Sequence, residues 1–143
     1  MLSRRGMRVA ALDVGEARIG VAVSDELGLT AQPVGVVRRV GGQRDLEALR
    51  EMLAPYALER LVVGLPLNMN GSEGPQAGRV RAFAAEAAAH LGLGLDYWDE
   101  RLTTVAAERA LLEGDVSRRR RREVVDKVAA TLILQGYLAR RPP

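Results

Sequence analysis

Three acidic residues, Asp13, Glu100 and Asp126, stand where the sequence predicts ligand chemistry. Asp13 ends an apolar run typical of a buried strand, and Glu100 follows an alternating stretch that ends at Asp99. Ligands of open α/β sheets bind at the carboxyl ends of the strands. Carboxylate oxygens are the donors that Mg²⁺ and Mn²⁺ prefer. We therefore predict that the fold brings the three acids together to hold Mg²⁺ or Mn²⁺ against a phosphodiester.

Each acid taken alone also has a purely structural explanation. Asp13 could form an Asx turn with the following Val-Gly, and Glu100 could be a solvated partner of Arg101. Asp126 could complement the dipole of the helix in which it lies. The neighbouring Asp99 could share the role of Glu100. The prediction of a metal site therefore depends on convergence of the three acids at one edge.

The hydrophobic pattern predicts the elements that would position these acids. Three strand patterns joined by short loops come first, and helical and strand patterns then alternate, in the order βββ-α-β-α-β-α-α. The predicted strands cover 8–13, 19–24, 33–40, 61–64 and a last strand that contains Leu95 and Tyr97. The predicted helices cover 43–54, 75–91, a segment from Thr103 or Thr104 to Leu112, and 123–137.

This order predicts an α/β fold with a mixed five-stranded sheet and helices on both faces. The first, fourth and fifth strands would run parallel, with the fourth between the other two. The first and fifth strands would then lie about 10 Å apart. A long Glu100 side chain could span that gap through metal ions about 4 Å apart.

Several polar residues near this edge are candidates for binding nucleic acid. The loop from Leu65 to Gly74 offers short amides, and a run of arginines leads into the last helix. An ordinary surface loop and a solvated charged face are the competing interpretations. The residues assigned to nucleic-acid binding are Arg18, Asn68, Asn70, Arg101, Thr103, Arg118, Arg119, Arg120 and Lys127.

Composition narrows the class of protein. The chain has 143 residues, a formal net charge of +3 and no cysteine. These values predict one basic domain without disulfides, thiol nucleophiles or thiolate zinc sites. The interruption of the first apolar run by Asp13 disfavours a signal peptide, and we expect a cytoplasmic protein with no membrane association. We expect a flexible extension over 1–7, a nuclease domain over 8–139 and a tail over 140–143.

Four ordered blocks resemble the YqgF/RuvX family. The blocks begin at Asp13-Val-Gly-Glu-Ala-Arg, Gly64-Leu-Pro-Leu-Asn, Asp99-Glu-Arg-Leu-Thr-Thr and Val125-Asp-Lys-Val-Ala-Ala. The resemblance runs from about residue 8 to 138 and implies a ribonuclease H-like fold related to the RuvC resolvases. It also implies a metal-dependent nuclease whose acids are Asp13, Glu100 and Asp126. RuvC relatives carry an acid after the strand beside the first, where this chain has Gly64-Leu65, so Glu100 must substitute from one strand further out.

The resemblance leaves three functions open. The leading one is an endonuclease that acts on structured RNA and matures the 5′ end of pre-16S rRNA. The second is a Holliday-junction resolvase on branched DNA, which would need a two-fold dimer. The third is a catalytically weak factor that binds rRNA in ribosome assembly. We favour structured RNA and a monomer or weak homodimer, because we expect the apolar helix faces to be fully used against the sheet. An actin-like ATPase half is disfavoured because the chain lacks a second Asp-x-Gly loop.

Overall fold

The computed structural model describes residues 8–102 and 118–140, with only the backbone described over 118–125. Five strands within these residues form one sheet in the order β3-β2-β1-β4-β5. The strands are β1 (Arg8–Val14), β2 (Arg18–Ser24), β3 (Ala31–Arg38), β4 (Leu58–Leu65) and β5 (Gly94–Asp99).

The strand directions confirm the predicted topology. β1 pairs antiparallel with β2, and β2 pairs antiparallel with β3, because short turns join these strands. β4 pairs with β1, and β5 pairs with β4, both in parallel. A helical crossover leads from β3 into β4 and another from β4 into β5, so both strands keep the direction that β3 shares with β1. The carboxyl ends of β1, β4 and β5 therefore meet at one edge of the sheet.

Three helices and a short 3₁₀ turn complete the described part of the chain. They are α1 (Gln43–Leu53), α2 (Pro75–Leu91), the 3₁₀ turn (Glu100–Leu102) and α3 (Arg118–Arg140). Pro75 occupies the first turn of α2, where its missing N–H costs nothing. Gly92 ends α2 in the left-handed conformation, at a φ of 69°, which glycine adopts without strain. The helix predicted from Thr103 or Thr104 to Leu112 lies outside the described residues.

Three elements begin two or more residues before the start that the sequence predicts. α3 begins at Arg118 instead of 123, because arginine is a good helix former and the basic run extends the helix. β4 begins at Leu58, before the apolar run. β3 begins at Ala31 and includes Pro33, which is tolerated because this is an edge strand with a register shift opposite that residue.

The two faces of the sheet carry separate apolar cores, as predicted. α1 and α2 cover one face, where Leu12 and Val63 contribute to the core. α3 covers the other face, over Ala11, Val62 and Trp98. β1 is buried on both faces, as its continuous apolar pattern predicts. Among the described residues, no helix is long and apolar enough to cross a membrane.

Candidate active site

Asp13 lies at the carboxyl end of β1 on the face that α3 covers. Val9 and Ala11, which precede it at alternate positions, both belong to the core beneath α3. The side chain of Asp13 therefore points to the same face, and the residue is only 7% exposed. Its neighbour across the antiparallel β1–β2 pair is Gly20. A buried carboxylate thus stands beside a position that has no side chain.

Gly20 is the position at which α3 crosses the sheet. A Cβ atom at Gly20 would stand 2.6 Å from the carbonyl carbon of Asp126 and nearer still to its carbonyl oxygen. Only glycine leaves room for the helix backbone at this distance. Because Gly20 pairs with Asp13, this crossing brings Asp126 within about one strand spacing of the end of β1.

The carboxylate of Asp126 forms an ion pair with Arg18. The Arg18 Nε atom donates a hydrogen bond to Asp126 Oδ2 at 2.6 Å, and the two side chains are 26% and 16% exposed. Arg18 is the first residue of β2, and it shares a face with Gly20. Asp126 lies about two turns into α3. The helix dipole stabilises an acid mainly within the first turn, so the position of Asp126 weakens the dipole interpretation of this acid.

Glu100 reaches the same face from the far side of β4. Its Cγ and Cδ atoms would each lie 3.2 Å from a Cβ placed on Gly64, and Ile133 of α3 would lie 2.6 Å away. The Glu100 side chain therefore lies across the end of β4. In the β1–β4 register Leu12 pairs with Val63, so the next position places Asp13 beside Gly64. Because Gly64 has no side chain, the side chain of Glu100, which follows β5, can extend across β4 toward Asp13.

The three acids share a face without forming a preformed ligand cluster. Among the described residues, no three His, Cys, Asp or Glu side chains are grouped so that they could hold a metal ion. The orientation of Asp126 toward Arg18 is one physical reason. The donors nevertheless fit a hard divalent cation in their chemistry, because all are carboxylates. A shared metal site at Asp13, Glu100 and Asp126 stays a prediction.

Asp99 makes different contacts from its neighbour Glu100. Trp98 packs beneath α3, so Asp99 points toward the opposite face of the strand. Its carboxylate accepts bonds from the backbone N–H of Arg101 at 2.9 Å and from the guanidinium at 2.7 Å. The hydrogen bonds and charge of Arg101 lower the pKa of Asp99. Asp99 therefore fixes the 3₁₀ turn that presents Glu100.

Arg101, assigned to nucleic acid from the sequence, joins that turn to the loop after β4. Its Nη1 atom donates to the carbonyl of Met69 at 3.1 Å, and its guanidinium lies 3.5 Å from the Cβ position of Gly71. The bidentate pair with Asp99 and this bond occupy the same guanidinium. In this structure Arg101 connects the loop to the end of β5.

Asn68 and Asn70 hold the loop in a compact turn. Asn68 Nδ2 donates to Ser72 Oγ at 2.9 Å, and Asn70 Oδ1 accepts from the same hydroxyl at 2.6 Å. The backbone N–H of Gly71 donates to the carbonyl of Asn68 at 2.8 Å. The loop therefore presents Met69, 93% exposed, from an ordered backbone.

The remaining residues assigned to nucleic acid are only partly described. Lys127 is exposed on α3, next to Asp126. Arg118, Arg119 and Arg120 lie in the first turn of α3, where the structure gives the backbone alone. Thr103 lies outside the described residues.

Sequence reasoning missed two features that shape this site. The first is the close approach of Glu100 and Ile133 at Gly64, which a glycine in a strand can signal. The second is a cross-sheet network in which Arg60 forms a bidentate pair with Asp96, at 2.7 and 2.9 Å. Tyr137 of α3 donates its hydroxyl proton to the same carboxylate at 2.5 Å. This network fixes the second half of α3 against β5.

The other face of the sheet carries a groove of about 570 Å³ beside the end of β1. Its walls include the aromatic ring of Phe83. It has two arginines, Arg39 and Arg79, and three acids, Glu16, Asp45 and Glu86. The acids outnumber the arginines, so the groove does not attract a polyanion.

Comparison with known proteins identifies relatives over nearly the whole chain. The family model RuvX, described as Holliday junction resolvase, matches residues 7–140. A relative from Symbiobacterium thermophilum is 59% identical over 140 residues, which cover 96% of this chain and 97% of the relative. One from Moorella thermoacetica is 61% identical over 134 residues, with 94% and 96% covered. Both are named as pre-16S rRNA nucleases.

A solved structure supports the fold at lower sequence identity. RuvC of T. thermophilus, in complex with a Holliday junction substrate, is similar with a TM-score of 0.56 and 17% identity. The match covers 93% of this chain and 95% of that one. At this identity the likeness establishes the ribonuclease H-like fold alone.

Proposed function

The chain belongs to the RuvX family of nucleases, and on that premise we propose that it is a divalent-metal-dependent endonuclease of structured nucleic acid. Its proposed catalytic residues and metal ligands are Asp13, Glu100 and Asp126. Its proposed reaction is hydrolysis of a phosphodiester bond in the 5′ leader of precursor 16S rRNA, in the cytoplasm. We propose Mg²⁺ or Mn²⁺ as the metal, because the donors are carboxylates only.

The observation that carries this proposal is the close approach of α3 and of Glu100 to the sheet beside Asp13. Gly20 admits the backbone of α3 beside Asp13, and Gly64 admits the side chain of Glu100 from beyond β4. Each glycine forgoes apolar contacts that a larger residue would make in a strand. The backbone at Asp126 and the side chain of Glu100 occupy the room that these glycines give, close to the end of β1 that carries Asp13, which supports a common task for the three acids.

The protein residues perform binding and orientation. Bound metal would acidify the attacking water and stabilise the leaving oxygen of an in-line displacement. Asp13 would hold its position through β1, which is buried from Val9 to Val14, and the Asp99–Arg101 pair would hold the turn that carries Glu100. Asp126 would be held by the crossing of α3 over Gly20. Preorganisation by such fixed elements reduces the reorganisation required during the reaction.

The substrate would approach on the face that α3 covers. Lys127 and the arginines Arg118, Arg119 and Arg120 would meet phosphates there, together with the loop that carries Asn68 and Asn70. The groove on the opposite face is an unfavourable alternative because it carries an excess of acids. Few aromatic residues are available for base stacking, so recognition would depend on backbone and shape.

Amide substitution of each acid tests the catalytic assignment. Asp13→Asn, Glu100→Gln and Asp126→Asn should each abolish cleavage while the far-ultraviolet circular dichroism stays native. Binding should survive or improve, because a negative charge that faces phosphate is removed. Glu59→Gln is the matched control, since it removes an exposed acid near the start of β4, at the opposite edge of the sheet, and should retain most activity. Near-normal turnover by Glu100→Gln would refute the assignment of the second ligand.

A panel of substrates tests the substrate class. Precursor rRNA, a four-way DNA junction, duplex DNA and single-stranded RNA would be incubated with Mg²⁺ or Mn²⁺. We expect cleavage of the rRNA precursor, as the names of the relatives suggest. Cleavage of the junction alone would favour a resolvase, the description of the matching family model. Metal-independent binding without cleavage of any substrate would favour an rRNA-binding assembly factor.

A further inference from the structure

Arg18 occupies an unusual position for a residue that would contact substrate. It forms a short ion pair, 2.6 Å long, with one of the three proposed metal ligands, and both side chains are mostly buried. The arrangement is specified by the chain, because Gly20 fixes Asp126 over β2 and Arg18 lies two residues earlier on the same face. Neither residue can withdraw freely, since a buried charge that loses its partner is strongly destabilising.

Three acids on one face create a need for positive charge. Like charges held close together raise the free energy of the ionised state unless a cation offsets them. In the structure Arg18 supplies one such charge at Asp126. A divalent metal would supply the same compensation, so the guanidinium and the metal compete for one carboxylate.

From this competition we propose that Arg18 is a resident counter-cation that a metal ion must displace from Asp126, and that the released guanidinium then binds a substrate phosphate. The inference rests on the proposed nuclease site and adds the order of charge exchange within it. Arginine suits both states, because its planar fork matches carboxylate and phosphate oxygens alike.

The exchange makes the binding of metal and the binding of nucleic acid positively cooperative. A phosphate that attracts Arg18 frees Asp126 for metal, and metal at Asp126 frees Arg18 for phosphate. Such coupling is reciprocal, and couplings between sites are typically about 5–150-fold. The site would therefore bind metal weakly until substrate arrives.

The decisive measurement is the affinity of the substrate-free protein for Mn²⁺, by calorimetry or by electron paramagnetic resonance of the free ion. Arg18→Gln should strengthen Mn²⁺ binding by about tenfold, within the usual range of such couplings. In saturating Mn²⁺, where the guanidinium is released, it should also weaken binding of a stem-loop RNA with an uncleavable linkage, with a log–log salt slope smaller by about 0.7. If Arg18 merely supported Asp126, Arg18→Gln would instead weaken Mn²⁺ binding.

Two controls isolate the pair. Arg79→Gln removes the same charge from an exposed side chain that pairs loosely with Glu16, at 3.9 Å, and should leave the Mn²⁺ affinity unchanged. Asp126→Asn should weaken Mn²⁺ binding, and adding Arg18→Gln to it should then have no further effect, as expected when two residues act through one interaction.

The outcomes separate this inference from the proposed function. If the unmodified protein and Asp126→Asn bind Mn²⁺ equally, the proposed metal site is wrong. If Asp126→Asn weakens Mn²⁺ binding but Arg18→Gln does not strengthen it, the counter-cation role alone is refuted. Should Arg18→Gln fail to fold, Arg18→Lys retains the charge without the fork geometry. It should raise Mn²⁺ affinity by a smaller factor, and an unchanged or lower affinity would overturn the proposal.

Discussion

Replacing Gly20 with alanine tests whether the close crossing of α3 positions Asp126. The added Cβ would stand 2.6 Å from the carbonyl carbon of Asp126. Carbon atoms in contact lie about 3.5 Å apart or more, so the helix backbone must withdraw by about 1 Å. Overpacking of this kind costs about 1–3 kcal/mol, and a displacement of about 1 Å near a reacting group costs about 10²-fold in rate.

The assays are thermal unfolding and single-turnover cleavage. A loss of 1–3 kcal/mol lowers the melting temperature of a domain of this size by about 3–15 °C, so the variant should stay folded at 25 °C. Under those conditions we expect cleavage to fall by about 10²-fold, because Asp126 moves away from Asp13.

Gly78→Ala is the matched control for this substitution. Gly78 lies within α2, and a Cβ atom there would meet nothing within 4 Å. The same change should therefore raise stability by about 0.5–1 kcal/mol and leave cleavage unchanged. An unaltered melting temperature for Gly20→Ala would refute the packing argument. A destabilised variant with full activity would refute the link between the crossing and catalysis.

Three further predictions concern stability, binding and assembly. Arg60 and Tyr137 lower the pKa of Asp96 in the folded protein. This acid therefore contributes stability above its unfolded pKa of about 3.9, and the contribution is lost as the pH falls below that value. In Asp96→Asn the melting temperature should consequently depend less on pH below about pH 4. Neutralising residues 118–122 should weaken binding similarly across sequences and reduce the log–log salt slope by about 0.9 per lost contact on duplex DNA; an unchanged slope would make the run a solvated face. Light scattering should find a monomer or weak dimer that cuts once, whereas a stable dimer with paired cuts in a junction would reverse the preference for RNA.

Local patterns in the sequence were sufficient for the element order and topology. The three-strand meander and the two parallel additions follow from apolar periodicity and loop length, which are properties of short segments. The helix boundaries at Pro75 and Gly92 follow from the backbone preferences of these two residues. Boundaries set by charged residues, such as the start of α3 at Arg118, were wrong because arginine permits several conformations.

The different contacts of Asp99 and Glu100 became visible only in the tertiary structure. Both acids follow the same strand, and either could act as a ligand in sequence terms. The partner of Asp99 is Arg101, and the side chain of Glu100 lies over Gly64 of the neighbouring strand. Register between strands, which a single sequence does not display, decides which acid faces α3.

The sequence by itself determined that acids, arginines and glycines stand at the ends of the predicted strands and in the last helix. Only the fold decided that Arg18 meets Asp126 across 108 residues and that α3 and Glu100 lie directly against Gly20 and Gly64. The physical reason is that periodicity fixes which face of an element is apolar. The crossing of a helix over a sheet, by contrast, depends on the sizes of side chains contributed by several distant elements at once.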